Sequence, residues 1–172
     1  NQFIIESARI TRNVIVNQSG WETLLEGNKQ AFYTGWVRLP NFQSAFPGSM
    51  TADQFVDKLD QNAGGVLNAS ERTALINVLG NTPADLTKRA SVLRTLVEDV
   101  DFVNKEFNRM FVLMEYMGYL RRNPDDPPDN NLDGFNFWLG KLNEFNGNFI
   151  NAEMVKAFIS SIEYRQRFGP VQ

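Results

Sequence analysis

Apolar residues at helical spacing restrict the fold of this chain most strongly, and residues 110–168 show the pattern most clearly. This stretch reads as a helix (MFVLMEYMGYLRR), an acidic loop (NPDDPPDNNLDG) and two further helices (FNFWLGKLN and AEMVKAFISSIEYRQRFG). Side chains three and four residues apart lie on one side of a helix, and an apolar side is buried against other helices. The pattern therefore predicts an all-α fold.

The rest of the chain carries signals for helix starts. Four residues are predicted N-caps: Ser19, Thr51, Ser70 and Thr82. The side-chain oxygen of an N-cap accepts a hydrogen bond from a free backbone N–H group in the first helical turn. Residues 99–120 contain no helix breaker, so we expect one long helix there. Its apolar stripe is interpreted as core: Phe102, Val103, Phe107, Met110, Met114 and Met117.

Residues 1–18 show no clear helical period. Two β-prone clusters, FII and VIV, surround a polar middle. We predict an extended arm over residues 1–18, which lies on a neighbouring surface because its apolar side chains favour burial.

An internal repeat relates the helical segments to one another. RASVLRTLVEDVDF aligns with NAEMVKAFISSIEY at an offset of 62 residues, and GWVRLPNFQSAF follows the same pattern. The first alignment gives these pairs: Ala90 with Ala152, Leu96 with Phe158, and Phe102 with Tyr164. Because repeats bury their apolar faces against neighbouring repeats, we predict one core shared by residues 19–172. The architecture expected is an orthogonal helical bundle of about two three-helix repeats, preceded by a partial repeat.

Histidine and cysteine are both absent from the chain. Without them no disulfide, zinc–thiolate site or histidine-dependent nucleophilic triad can form. Any metal site must use oxygen ligands, which favours Ca²⁺ or Mg²⁺. The formal net charge of −3 provides no basic surface for nucleic acid, and the apolar runs are too short for a membrane span. We therefore expect neither a nucleic-acid partner nor membrane insertion.

The acidic loop holds the strongest candidate binding site. Residues 129–134, DNNLDG, match the first six positions of an EF-hand loop. Four residues are candidate Ca²⁺ ligands: Asp125, Asp129, Asn131 and Asp133. The closing bidentate glutamate of an EF-hand is replaced by Gly140, so weak affinity is expected. The alternative interpretation is structural, with Asp133 as a helix cap and Arg122 paired with Asp125 to brace the loop.

The other reactive groups are isolated. The candidate catalytic carboxylates are Glu98, Asp99 and Glu115. Each is expected to lie without the partner or pocket that tunes a catalytic pKa, so we predict that the chain is not an enzyme. Residues 164–168, YRQRF, form either a basic contact surface or, in the interpretation we favour, core aromatics beside solvated arginines. Trp36 and Trp138 fall on core positions of the repeat and are predicted to be buried.

Three segments, FVLMEYMGYLRRNPDD, DGFNFWLGKLN and NAEMVKAFISSIEYRQRFG, together resemble the bacterial domain of unknown function 4214. The residues that carry the resemblance are Arg122, Pro124, Asp125, Gly134, Phe137, Trp138, Ser161, Glu163 and Tyr164. Residues 49–107 match this pattern only weakly, since they lack the Pro-Asp loop and the tryptophan. The resemblance implies a surface or assembly role in a long extracellular bacterial protein, beside adhesive or Ca²⁺-binding modules. Its helical pattern is similar to that of phycobilisome linker domains.

We accordingly divide the chain into the arm (1–18), a helical region with a partial and a degenerate repeat (19–107), and the domain that resembles the unknown-function family (108–172). The function expected is a non-catalytic interaction or spacer module of a larger extracellular or cell-surface protein. Its partners would be other domains of that protein or cell-envelope proteins. No cofactor is predicted; the alternative is a Ca²⁺-stabilised adhesion module that uses the acidic loop.

Overall fold

The computed structural model of the chain describes residues 2–169. These residues form ten α-helices and one π-helical turn without any β-strand, which confirms the predicted all-α class. Contacts divide the chain into two units between residues 103 and 104. We call residues 2–103 the N-terminal unit and residues 104–169 the C-terminal unit.

The two units contain different sets of helices. Those of the N-terminal unit are α1 (Gln2–Ile10), α2 (Trp21–Trp36), α3 (Pro40–Ala45), α4 (Ala52–Ala63), α5 (Ala69–Leu79) and α6 (Leu86–Val97). Helix α7 (Val100–Glu115) begins there and continues into the C-terminal unit. The C-terminal unit adds a π-helical turn (Tyr116–Leu120), α8 (Asp133–Glu144), α9 (Met154–Ser160) and α10 (Ile162–Phe168).

Helix α1 contradicts the predicted extended arm over residues 1–18. The helix packs on α2, and the side chain of Asn28 in α2 donates hydrogen bonds to the carbonyl oxygens of Ile10 and Arg12, at 3.0 and 2.9 Å. These bonds satisfy carbonyl groups that a helix leaves free at its C-terminal end. A contact with α2 therefore outweighs the local β-preference of the FII cluster.

The structure confirms one of the four predicted helix caps. Thr51 caps α4 and forms a reciprocal capping box with Gln54, as predicted. Two other caps are displaced along the chain: Asn68 replaces Ser70 and Asp85 replaces Thr82. Ser19 does not cap α2, which begins after Gly20, a residue in the left-handed conformation (φ 83°). Where two capping residues lie close together, the position at which the chain turns into the helix decides between them.

The core of the N-terminal unit encloses a charged side chain. Its larger buried apolar residues are Val37, Phe42, Phe46, Phe55, Val56, Leu59, Leu75, Leu79, Val92, Leu93 and Leu96. Arg89 is fully buried and donates hydrogen bonds to the carbonyl oxygens of Phe46 and Pro47, at 2.6 and 3.0 Å, and of Pro83, at 2.6 Å. Its guanidinium lies 4.6 Å from the ring centre of Phe55. Arg89 thereby fastens the loops before α4 and before α6 to the core.

The C-terminal unit has its own aromatic-rich cluster. The buried members are Val112, Tyr116, Leu120, Phe135, Leu142, Ala152, Met154 and Phe158. The ring of Phe158 contacts Tyr116 edge to face at 5.1 Å and Trp138 at 5.6 Å. The buried side chains in residues 2–169 therefore form two clusters, one in each unit. The single core over residues 19–172 stays a prediction.

Burial at the repeat positions agrees in part with the predicted alignment. Leu96 and Phe158 are both buried, as are Ala90 and Ala152. The repeat itself stays a prediction. Trp36, expected in the core, is 37% exposed, because Val37 next to it fills the core position while the indole packs along α2 on Phe32.

The apolar stripe of the long helix is a second departure from the expected core. Of the six residues in the predicted stripe, Met117 is buried and Phe102 is half-buried. Val103 and the other three members of the stripe are exposed. Those three residues are Phe107, Met110 and Met114. Within residues 2–169, none of the helices combines the length and the apolar character that a membrane span requires.

Candidate functional site: the acidic loop and its buried arginine

The acidic loop begins where the long helix changes its geometry. Helix α7 passes into the π-helical turn, and Arg121 ends that turn in the left-handed conformation (φ 55°). A non-glycine residue in this conformation reverses the chain direction at a local energetic cost. The reversal is followed by Arg122, whose side chain is only 8% exposed.

Arg122 joins the loop to the last helix. Its Nε and Nη2 atoms donate hydrogen bonds to the two carboxylate oxygens of Glu163 in α10, at 2.8 and 3.1 Å. Nη2 also donates to Oδ2 of Asp129 at 2.7 Å. The planar guanidinium suits this arrangement because it presents several donors in a fixed geometry. The prediction that Arg122 pairs with Asp125 is wrong: the loop folds so that Asp129 reaches the cation.

The same guanidinium holds the backbone of the loop. Its Nη1 atom donates to the carbonyl oxygens of Asn123, Pro124 and Asp126, at 3.1, 3.2 and 3.1 Å. The guanidinium carbon lies 5.1 Å from the ring centre of Tyr116. A buried cation with this many partners fixes the loop conformation, and removing one partner of such a group typically costs about 3–5 kcal/mol.

Gly134 allows α8 to approach the core closely. A Cβ atom at this position would lie 2.6 Å from the hydroxyl oxygen of Tyr116 and 3.4 Å from Oδ2 of Asp129. The first distance is shorter than a non-bonded contact, so glycine is required while Tyr116 keeps its place. Burial and the neighbouring charge of Asp129 raise the pKa of Tyr116 to about 12, so its hydroxyl stays protonated at neutral pH.

The four predicted Ca²⁺ ligands are only partly brought together. Asn131 donates to Oδ2 of Asp133 at 3.0 Å and accepts a hydrogen bond from its backbone N–H at 2.9 Å. Asp129 turns towards Arg122, and Asp125 is exposed. Among residues 2–169, no three acidic side chains are grouped as a metal ion would require. Ca²⁺ binding stays a prediction.

Asp133 does not act as the predicted helix cap. It is the first residue of α8, and the residue before it, Leu132, offers no polar side chain. The backbone N–H of Asp133 is satisfied by Asn131 instead. The Asp133 carboxylate remains favourably placed in the first turn, where the helix dipole stabilises negative charge.

A small cleft lies beside the Arg122–Glu163 pair. It has a volume of about 130 Å³ and is lined by Tyr116, Leu120, Trp138, Ala157, Phe158, Ser161 and Glu163. Two polar groups at its wall are engaged: Glu163 pairs with Arg122, while the Ser161 hydroxyl donates to the carbonyl of Phe158 and accepts from the backbone N–H of Tyr164. The predicted burial of Trp138 is met only in part, since its side chain is half-buried. The wall contains no nucleophile with an adjacent base.

Glu115 is the most perturbed carboxyl group. It is 7% exposed, and its Oε2 atom has no hydrogen-bond partner. Burial in apolar surroundings raises its pKa to about 7. The other two candidate carboxylates have structural partners: Glu98 forms ion pairs with Arg94 and Lys29 at 3.1 and 3.3 Å, and Asp99 accepts backbone hydrogen bonds at the start of α7.

Nothing in the local sequence indicated that Glu163 is the main partner of Arg122. The two residues are 41 positions apart, and helical periodicity carries no information about such a pair. The resemblance to the unknown-function family marked Arg122, Gly134, Ser161 and Glu163 without a role. In the structure these residues are a buried brace, a close packing contact, a helix cap and an ion-pair partner.

Comparisons with protein-family models, with curated proteins and with solved structures find no significant match to this chain.

Proposed function

We propose that this chain is a non-catalytic interaction module of a larger extracellular or cell-surface bacterial protein. The observation that carries the proposal is an exposed row of large apolar side chains on α7. Phe107 is 59% exposed, Met110 36% and Met114 48%. Large apolar groups that line up on one side of a helix are a feature of surfaces that bind other proteins.

Helix geometry explains why this row is separate from the core. Each residue turns an α-helix by roughly 100°, so Phe107 and Met114 lie nearly opposite Val112. Val112 is fully buried in the cluster of the C-terminal unit. Helix α7 thus has two apolar sides, and one of them packs inside its own unit. The second side exposes three large apolar groups, which favours a partner for it.

The hydrogen-bond partners of the polar groups at the site support a non-catalytic role. Glu163 and Asp129 both accept hydrogen bonds from Arg122, and the tyrosine beside them keeps its proton. These contacts hold the loop in shape, which favours a structural role for the three charged groups. Extracellular location and envelope partners rest on the resemblance to the unknown-function family.

A site-specific crosslinking experiment tests the proposal. A photoreactive amino acid at position 107 is expected to crosslink the partner in the native host, whereas the same group at Phe137, an exposed site on α8, is not. The identified protein is then purified, and its affinity is measured against Phe107→Ser/Met114→Ser. We expect binding at least about tenfold weaker, because two apolar contacts are lost. The matched control, Phe137→Ser/Ile162→Ser, removes two other exposed apolar side chains and should bind normally. Equal affinity of both double variants would refute the α7 surface.

A Ca²⁺-stabilised adhesion module is the alternative proposal, supported by the concentration of aspartates around Asn131. Thermal unfolding in EDTA and in millimolar Ca²⁺, with Mg²⁺ as control, separates the two ideas. At a free Ca²⁺ concentration of 100 times Kd, stability rises by about 2.7 kcal/mol, which raises Tm by several degrees. A Ca²⁺-specific rise that is lost in Asp125→Ala/Asp133→Ala would favour adhesion. These two aspartates are chosen because neither pairs with Arg122. An unchanged Tm would remove the alternative.

A further inference from the structure

Three arginines surround an exposed aromatic ring at the end of the C-terminal unit. The guanidinium carbon of Arg121 lies 5.9 Å from the ring centre of Phe168, which is 49% exposed. Arg165 and Arg167 are in the last turn of α10. At roughly 100° per residue, they lie on either side of Phe168. We call these four residues the arginine patch.

The arginine patch lacks acidic partners. Of the residues the structure describes, no carboxylate forms an ion pair with Arg121, Arg165 or Arg167. Arg9, Arg72, Arg94, Arg109 and Arg122 have such partners, whereas Arg12 and Arg38 also lack one among the described residues. The patch differs from those two arginines because three unpaired arginines lie around one exposed ring. A concentration of unpaired positive charge on a chain of net charge −3 attracts an acidic surface.

The acidic loop provides a surface of matching charge. Asp129 is paired with Arg122, which leaves Asp125, Asp126 and Asp133 without a cation among residues 2–169. Arg122 binds three backbone carbonyl oxygens of the loop. These bonds oppose a change of loop conformation that would bring the three carboxylates to a cation of the same chain. Three carboxylates are thus held in the loop, while two guanidinium groups lie in the last turn of α10 and the third, that of Arg121, lies beside Phe168.

We propose that the acidic loop of one copy of this chain docks on the arginine patch of a second copy. The inference rests on the proposed interaction function and names a partner for it. Arg122 links the loop to α10 through Glu163, so the loop and the patch both belong to the C-terminal unit. Each contact pairs the loop of one copy with the patch of another. Phe168 supplies an apolar contact at the centre of the patch, while the surrounding charges select the partner and its orientation.

The first test measures self-association of the whole chain by sedimentation at low and high ionic strength. At about 50 mM salt we expect association that increases with concentration, and at about 500 mM salt we expect it to be lost, because salt screens exposed charges. A chain that stays monomeric at low salt, or an association that salt does not weaken, would overturn the inference.

Two charge-reversed variants identify the surfaces. Arg165→Glu/Arg167→Glu reverses the patch, and Asp125→Lys/Asp133→Lys reverses the loop. Each alone should be monomeric, because its patch and its loop then carry the same sign. Mixed together, the two variants should associate again, since each patch now meets a loop of opposite sign. No restoration on mixing would overturn the inference.

Controls separate this contact from general effects of charge. Arg12→Glu/Arg38→Glu makes the same change in net charge at two exposed arginines of the N-terminal unit and should leave association within about twofold. If glutamate unwinds the end of α10, Arg165→Gln/Arg167→Gln keeps the helix and should still weaken association about tenfold. Equal losses in the control and the patch variant would overturn the inference. That result would leave the α7 proposal untouched, because crosslinking at position 107 tests a different surface.

Discussion

At the scale of single residues, two groups in the C-terminal unit carry most of the chemistry. Arg122 has its donors occupied by Glu163, Asp129 and loop carbonyls, while Glu115 is buried with an oxygen that has no partner. The first group gains from its surroundings and the second is destabilised by them. Substitutions at these sites and at the neighbouring Gly134 should therefore behave in different and recognisable ways.

Replacing Gly134 by alanine should destabilise the protein by about 1–2 kcal/mol. The new methyl group would lie 2.6 Å from the Tyr116 hydroxyl oxygen, and this clash exceeds the gain in helix propensity. Urea unfolding of Gly134→Ala measures the loss. In a Tyr116→Phe background the hydroxyl is absent, so the same substitution should become neutral or stabilising. An identical loss in both backgrounds would mean that the contact with Tyr116 is not the cause.

The effect of Glu115 on stability should depend on pH. Its folded pKa of about 7 lies above the ordinary value of 4.5, so the folded state binds a proton more tightly than the unfolded state. The protonated Glu115 carboxyl group therefore contributes its full share to the free energy of unfolding below about pH 4.5. This share is lost as the pH rises through 7. Relative to the wild type, Glu115→Gln should therefore gain stability between pH 5 and pH 8, by up to roughly 3 kcal/mol.

Unfolding free energies of the wild type and Glu115→Gln, measured across this pH range, test the prediction. Glu22→Gln, at an exposed position, controls for the loss of one carboxylate. A constant difference between wild type and Glu115→Gln over the whole range would contradict the assigned pKa.

At the scale of elements, α7 is the helix for which periodicity was least informative. Its apolar residues occupy two opposite sides, and a hydrophobic pattern identifies apolar positions without stating which of them face the core. The predicted core stripe was wrong for Val103, Phe107, Met110 and Met114, whereas Val112 and Tyr116 are buried. Helix α1 was missed for a related reason, since Asn28 of another helix satisfies its end.

The two sides of α7 should respond differently to polar substitution. Phe107→Ser and Met114→Ser are expected to cost less than about 1 kcal/mol, because these side chains are exposed. Val112→Ser buries an unpaired hydroxyl in the aromatic cluster and should cost more than about 2 kcal/mol. Chemical denaturation compares the three variants. If all three variants lost a similar amount of stability, Phe107 and Met114 would have to be buried like Val112.

At the scale of the whole molecule, the buried apolar residues are divided between two units. Fourteen buried apolar residues belong to the cluster of the N-terminal unit and eight to that of the C-terminal unit. Each cluster includes or adjoins a buried arginine that fastens loops, Arg89 in one and Arg122 in the other. Stability should therefore be lost unit by unit.

Hydrogen exchange after a core truncation tests this division. Phe55→Ala is expected to cost about 3–5 kcal/mol and to lower amide protection within residues 2–103, while Phe158→Ala should do so within residues 104–169. If either substitution lowered protection equally across both ranges, the chain would have the shared core that the repeat predicted.

The sequence by itself determined the all-α class, the approximate positions of most helices, the cap at Thr51 and the absence of histidine and cysteine chemistry. These properties depend on neighbours three or four residues away, or on composition alone. Only the tertiary structure decided that α1 is helical, that α7 buries its Val112 side, and that Arg122 binds Glu163 and Asp129. Each of these depends on residues far apart in the chain, whose meeting is set by how the helices pack and by the need to satisfy buried polar groups.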